Sequence, residues 1–328
     1  MGKRYLVTGG AGFIGSAVVR ALVESGASVR VLDDGSRGNR VRLEPVRDAI
    51  EIVQGDVRDE EAVGAALRGM DSVVHLAYVN GTELFYRIPD VVIDVALRGI
   101  VNVVQGAIQA GVGELVLASS SEVYQRPPVL PTPEDVPAVV PDVLNPRYSY
   151  GGGKIAAELY AINFGRRWFE RVLIFRPHNV YGPDMGWEHV IPQLACRAAM
   201  AARRARSDVI EMEIQGDGSQ TRAFCHVRDF VVGFMTMLDR GTHLGIYNIG
   251  NDEEVRIGDL AAKIASCLGK RVRIRASEAP EGETDRRCPD ISKLRSLGYE
   301  PAVPLDSGLP EVVRWYAENL DKAPRLSP

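Results

Sequence analysis

Residues Val7-Thr8-Gly9-Gly10-Ala11-Gly12-Phe13-Ile14-Gly15 constrain this chain more than any other stretch. They form a glycine-rich turn between a strand-like Tyr5-Leu6-Val7 and a helical pattern over 13–25. Gly10, Gly12 and Gly15 fit G-x-G-x-x-G, and Gly9, Gly12 and Gly15 fit the alternative G-x-x-G-x-x-G spacing. Such glycines permit a tight turn and let a pyrophosphate approach backbone N–H groups at a helix N-terminus, where the dipole favours negative charge. A turn of this kind belongs at the edge of a parallel sheet, and the first half of the chain supplies one. Short β-branched apolar runs at 29–32, 50–53, 72–76, 115–117 and 171–175 alternate with helical patterns, including a long one over 94–111 and another starting near Tyr148. This alternation predicts βαβ units and a Rossmann-type, doubly wound parallel α/β sheet covered on both faces.

The second half is less regular. Residues 255–269 read as a helix with Leu260, Ile264 and Leu268 on one face, and 309–320 as another with Pro310 at its start. Between the halves, the 23 residues from Gln125 to Arg147 hold seven of the 19 prolines, which predicts a long irregular connection. Composition narrows the partners. With 45% hydrophobic and 25% charged residues, the 328-residue chain can bury a globular core. Its formal charge of −4 offers no basic surface for nucleic acid or anionic membrane. The four cysteines contain no Cys-x-x-Cys pair, so no metal site is expected and a reduced compartment fits. No secretory pattern opens the chain and no run of 18 apolar residues interrupts it; a cytoplasmic location is the expectation.

Asp33 stands 18 residues after Gly15, at the end of the second strand, where a carboxylate can accept both adenosine ribose hydroxyls and repel a 2′-phosphate. This favours NAD over NADP, with Arg37 close enough to soften the preference. Tyr150 and Lys154 lie four apart on one helix face. A lysine beside a tyrosine favours the phenolate, moving its pKa toward neutrality, as a base for hydroxyl oxidation requires. Ser119-Ser120-Ser121-Glu122 follows the fifth strand at the carboxyl edge, where open α/β sheets bind ligands. One serine is suited to holding the reacting oxygen and another to capping a turn; Glu122 reads equally as a second acid/base or as a solvated carboxylate.

Taken together, these motifs resemble the extended short-chain dehydrogenases/reductases that act as nucleotide-sugar epimerases and dehydratases, such as UDP-glucose 4-epimerase. Further landmarks are Gly55-Asp56-Val57, His75-Leu76-Ala77, Asn179-Val180-Tyr181-Gly182-Pro183, Gln220-Thr221-Arg222-Ala223-Phe224 and Arg287-Cys288-Pro289-Asp290. The resemblance implies that Ser120, Tyr150 and Lys154 are catalytic. It implies that Phe13 and Ile14 offer backbone to the NAD pyrophosphate, that Asp56 and Val57 flank adenine, and that Leu76 and Ala77 line the nicotinamide. Asn179 matches a substrate contact, and Arg222 and Arg287 match arginines that grip a nucleotide diphosphate, a task suited to a guanidinium fork. An NAD-binding domain over 1–178, rejoined by 224–250, and a smaller, interleaved substrate lobe over 179–223 and 251–328 follow. So does a homodimer formed through the helices near 94–111 and 148–165. The chain departs from the pattern at Ala96 and Ile100, where the family has Asn and Thr, at Gln125 in place of a glycine, and at Gly153 in place of Ser.

The expected reaction is 4-epimerisation of a nucleotide sugar, with a UDP-sugar the leading substrate: oxidation at C4 by NAD, rotation of the keto sugar, and return of the hydride. Ser120 favours this outcome, since related dehydratases and decarboxylases carry Thr there. Ser121-Glu122 favours the alternative, a 4,6-dehydratase or uronate decarboxylase using Glu122. A simple reductase and a non-catalytic dinucleotide sensor are the remaining readings.

Overall fold

The computed structural model describes residues 2–278 and 285–323; parts of the predicted lobe, residues 279–284 and 324–328, lie outside the described residues. The chain runs β1 (Arg4–Thr8), α1 (Phe13–Glu24), β2 (Ser28–Asp33), β3 (Ile50–Gln54), α2 (Glu60–Leu67), β4 (Ser72–His75), α3 (Thr82–Arg87), α4 (Pro89–Ala110), β5 (Glu114–Ala118), α5 (Ser149–Trp168) and β6 (Arg171–Pro177). It continues through β7 (Val180–Tyr181), α6 (Val190–Arg204), β8 (Val209–Gln215), β9 (Thr221–Ala223), β10 (Cys225–His226), α7 (Val227–Arg240) and β11 (Gly245–Ile249). The last elements are β12 (Glu254–Arg256), α8 (Ile257–Cys267), β13 (Arg271–Ser277), β14 (Arg286–Arg287), α9 (Ser292–Arg295) and α10 (Leu305–Glu318).

Seven parallel strands form the main sheet in the order β11-β6-β5-β4-β1-β2-β3. The order reverses at β1, which opens a crevice at the carboxyl ends of β1 and β4. Both faces are covered. On one, α1 and α7 pack Val18, Leu22, Phe230 and Phe234 against Val7, Val116 and Phe175. On the other, α2, α4 and α5 pack Val63, Val103, Ala107 and Ala157 against Leu6, Val73 and Leu115. By length and composition α4 passes for a membrane span, yet half of that apolar stretch is buried inside the fold. It ends at Gly111, whose left-handed φ of 70° lets its N–H close on Ala107.

A second apolar cluster joins α6, β8, α8 and α10 through Leu194, Met212, Leu260, Ile264 and Val313. β8 and β13 pair in parallel across it, 62 residues apart in register. Three helix limits differ from the sequence expectation, the first being α4, which begins at Pro89 and not near 94. Val255 belongs to β12, paired antiparallel with β9, so α8 begins at Ile257. α10 starts at Leu305, which leaves Pro310 in its second turn. The periodicity extends backwards because Leu305 and Leu309 both face this cluster. The segment 125–145 carries no helix or strand, and one bridge, Thr132 to Pro289, ties it to the chain before α9.

Candidate active site

A cleft of about 380 Å³ follows the crevice, lined at one end by Gly9, Gly12–Gly15, Asp33 and Asp56–Val57 and at the other by Ser119–Glu122, Tyr150, Lys154, Asn179 and Arg287. Backbone builds the first end. Gly9 has φ +70°, and a Cβ there would stand 2.7 Å from the Ala77 nitrogen; a Cβ on Gly15 would stand 2.1 Å from the Gly9 carbonyl oxygen. Only glycine allows that approach. No side chain caps α1 at Gly12, so its first N–H groups remain free for an anion. These features fit a dinucleotide pyrophosphate.

Asp33 accepts from Ala11 N–H and Gly35 N–H, each at 2.9 Å, which aims the carboxylate along the cleft and leaves lone pairs for a diol. Arg37 instead pairs with Glu188 at 3.1 Å, so its guanidinium is already committed to a carboxylate. Arg42 holds Asp184 through its Nε at 2.8 Å and the Asp184 carbonyl at 2.8 Å. Those two ion pairs tie Asp184 and Glu188 to the segment after β2, and Met185, Gly186 and His189 line the cleft. Asp56 lines the cleft beside Val57, its carboxylate taken by Arg58 at 2.6 Å. Leu76 and Ala77 line the middle, their N–H groups both at 3.2 Å from the Thr8 hydroxyl.

Side chains build the other end. Ser120 is at once the turn cap and the candidate catalytic serine: its Oγ accepts from Glu122 N–H at 3.2 Å, and it lies near enough to Tyr150 to act on the phenol's pKa. Lys154 Nζ donates to the Ala118 carbonyl at 2.7 Å and sits 3.8 Å from the Tyr78 ring centre. Burial lowers this lysine to about 7, against the opposing pull of Glu158. Burial also pushes the Tyr150 phenol up to about 12, with the Ser120 hydrogen bond opposing it and the Glu122 charge adding to it. The lowered phenol expected from a neighbouring lysine is therefore not found. The reason is geometric: the ammonium is anchored on Ala118 and Tyr78, 5.8 Å from the Tyr150 ring centre.

Glu122 is neither solvated nor free. It is half-buried between Arg287, at 2.6 Å, and Arg147, at 3.1 Å. Burial works to raise its carboxyl, but the two guanidiniums outweigh that and hold it at about 2. Arg147 was not singled out in the sequence, although its place three residues before Tyr150 was a signal. Of the two predicted clamp arginines, Arg287 enters the main cleft, while Arg222, its register partner across β9 and β14, lines an adjoining pocket of about 120 Å³ with Gln193, Arg197 and Gln220. Asn179, at φ +38°, borders both spaces and donates to the Ala223 carbonyl at 2.9 Å. Among the described residues, no group of three or more His, Cys, Asp or Glu is placed to hold a metal ion.

Sheet, glycine turn and the buried Ser120, Tyr150 and Lys154 at the strand ends together form a candidate dinucleotide-dependent enzyme site. Residues 5–250 match the NAD dependent epimerase/dehydratase family, and the chain belongs to it; NAD is the cofactor this family uses. The chain is 33% identical over 333 residues to a dTDP-4-dehydro-6-deoxy-D-allose reductase of Streptomyces bikiniensis, covering 96% of each. Among solved structures it resembles the dTDP-glucose 4,6-dehydratase of Streptomyces venezuelae crystallised with NAD, at 32% identity and TM-score 0.85, covering 97% of this chain and 98% of that one. It also resembles the UDP-glucose 4-epimerase of Thermotoga maritima crystallised with UDP-glucose, at 27% identity and TM-score 0.84, covering 97% and 99%. UDP-glucuronic acid decarboxylases are relatives as well. The chain is thus an enzyme of the nucleotide-sugar epimerase, dehydratase and decarboxylase kind.

Proposed function

We propose that the chain is an NAD-dependent nucleotide-sugar 4-epimerase with a UDP-sugar as its substrate. The observation that carries this reading is the state of Glu122. A 4,6-elimination needs an acid at the leaving group, and a carboxylate paired with Arg287 at 2.6 Å and Arg147 at 3.1 Å is favoured as the anion and not as a proton donor. Its neighbour Ser121 is a buried hydroxyl, not an acid. Epimerisation asks for no such group. Ser120 donates to the C4 oxygen and Tyr150 takes the C4 hydroxyl proton, and Lys154, four residues along the same helix, is the cation that would favour the phenolate once its ammonium turns from Ala118 toward the phenol. NAD, when bound, supplies the hydride acceptor and a positive charge beside that phenol. The 4-keto sugar then needs only room to rotate. Arg287 at the cleft and Arg222 beside it suit the two ends of a nucleotide diphosphate.

One observation favours a second reading. Arg147 and Arg287 against one Glu122 leave a net positive charge at the sugar end, suited to a uronate, and decarboxylation of a 4-keto uronate needs no leaving-group acid. The test is to incubate the protein and NAD with a panel of nucleotide hexoses and uronates, reading products by mass and NMR. Unchanged mass with inverted C4 is the expected result. Loss of carbon dioxide moves the assignment to the decarboxylase, loss of water to the dehydratase, and stoichiometric consumption of added NADH to a reductase. The exposed Leu97 and Val101 of α4 and Leu159 of α5 support a homodimer, which light scattering will test.

A further inference from the structure

Two departures from the family pattern, Ala96 and Gly153, meet at one place. A Cβ on Gly153 would stand 2.3 Å from the Tyr78 hydroxyl and 2.7 Å from the Ala96 Cβ. The missing side-chain atoms on α4 and α5 thus leave a notch, and the tip of Tyr78 fills it. There the hydroxyl donates to the Tyr150 carbonyl at 3.3 Å. Burial, aided by the Tyr150 charge, raises the Tyr78 phenol well above its ordinary value, so it remains a donor.

From this seat Tyr78 touches both members of the catalytic pair. Its ring face lies 3.8 Å from the Lys154 ammonium, and its centre is 5.0 Å from that of Tyr150 in an edge arrangement, 76° between planes. Phe85 of α3 also stacks on Tyr150, at 4.9 Å and 23°. Arg147 stands over Phe85 at 5.6 Å and continues to Glu122. The row is cation, ring, ring, ring, cation, with the reacting phenol in the middle. Each contact has a geometry that attracts: cation over ring face, edge to face, and near-parallel stack.

We propose that Tyr78 is a positioning residue of the catalytic pair, seated in the notch left by Gly153 and Ala96, where it orients and shields the Lys154 ammonium and brackets the Tyr150 ring against Phe85. The proposal rests on the reading of Tyr150 and Lys154 as the catalytic pair, not on which nucleotide sugar is turned over. Its consequence is that the three successive glycines 151–153 do not leave the start of α5 loose. The aromatic row supplies from outside the helix the rigidity that a glycine run forgoes.

The test combines turnover with a measurement that needs no substrate. Lys154 reactivity is read by competitive acetylation of the NAD-loaded protein, with peptide mass spectrometry and the other lysines as internal standards. In Tyr78→Ala, Lys154 acetylation should rise about tenfold and kcat should fall about tenfold or more, the scale of one lost cation–π contact, with KM within about threefold. Tyr78→Phe keeps the ring and should restore most of both quantities, whereas Tyr78→Leu, which keeps bulk without a π face, should restore the protection of Lys154 more than kcat. Native acetylation and native kcat in Tyr78→Ala overturn the proposal. A fall in kcat with every lysine of the chain equally more reactive also overturns it, because that is general loosening. If instead Tyr150→Phe retains full activity, the catalytic reading itself has failed, and the acetylation result still decides whether Tyr78 orders Lys154.

Discussion

The two ends of the cleft are built from different material. The glycine-turn end is made largely of backbone: Gly9 and Gly15 meet peptide atoms with no room for a methyl group, and N–H donors at the start of α1 stand beside the single carboxylate of Asp33. The sugar end is made of side chains. Tyr78 and Phe85, Glu122, the run Arg147–Tyr150–Lys154, and Arg287 come from four segments and hold one another by ion pairs and ring contacts. The difference teaches where each end is vulnerable. An added carbon damages the first, and a deleted functional group damages the second.

The sharpest break of that comparison is Tyr150→Phe. Removing one oxygen should lower turnover of the active nucleotide sugar by about 10²–10⁴, the range of a positioned acid/base, while NAD content measured after denaturation stays at the parent level. A variant with parental turnover would remove Tyr150 from the chemistry.

Next is Gly15→Ala, the converse change. Its Cβ would fall 2.1 Å from the Gly9 carbonyl, so the turn must shift; overpacking of about 1–3 kcal/mol predicts a loss of NAD affinity of roughly ten- to hundredfold. Calorimetric titration with NAD checks this, and unaltered affinity would show that backbone approach does not govern the glycine-turn end.

Arg287→Ala sharpens the comparison within the sugar end. Loss of a charge-assisted contact should raise KM by about tenfold, up to a hundredfold. It also removes one of the two cations that hold Glu122 down, so the Glu122 carboxyl rises. Arg222→Ala should raise KM on a similar scale without moving the pH profile, since Arg222 lines the adjoining pocket. Identical pH profiles for the two variants would detach Arg287 from Glu122.

The smallest effect is on stability. His75 and His178 are buried, and burial lowers each from 6.5 to about 3. The unfolded chain therefore takes up protons below about pH 6.5 that the folded chain refuses, and stability falls as the pH drops from there toward 3. The Glu122 ion pairs act in a lower window. They contribute fully above its ordinary 4.5 and are lost as the pH falls toward 2. Urea midpoints measured at about pH 7.5 and about pH 5 should therefore differ, through the histidines and not through Glu122. Equal midpoints would mean that the histidines are not held neutral.

How much was legible in the sequence follows the same divide. The glycine turn, Asp33 and the parallel strands were readable because each depends on neighbours close in the chain: the spacing of glycines, a residue after a strand, alternation of apolar runs. The juxtaposition of Tyr150 and Lys154 was readable for the same reason, because a spacing of four on a helix places both side chains on one face. The state of that pair was not. Only the tertiary structure put Lys154 on Ala118 and Tyr78 and buried Tyr150, which reversed the expected direction of its pKa. Only it joined Glu122 to Arg147, 25 positions on, and to Arg287, 165 positions on, turning an undecided carboxylate into a fixed anion. The physical reason is that local geometry follows from backbone periodicity, whereas protonation depends on burial and on charges delivered by segments remote in the chain.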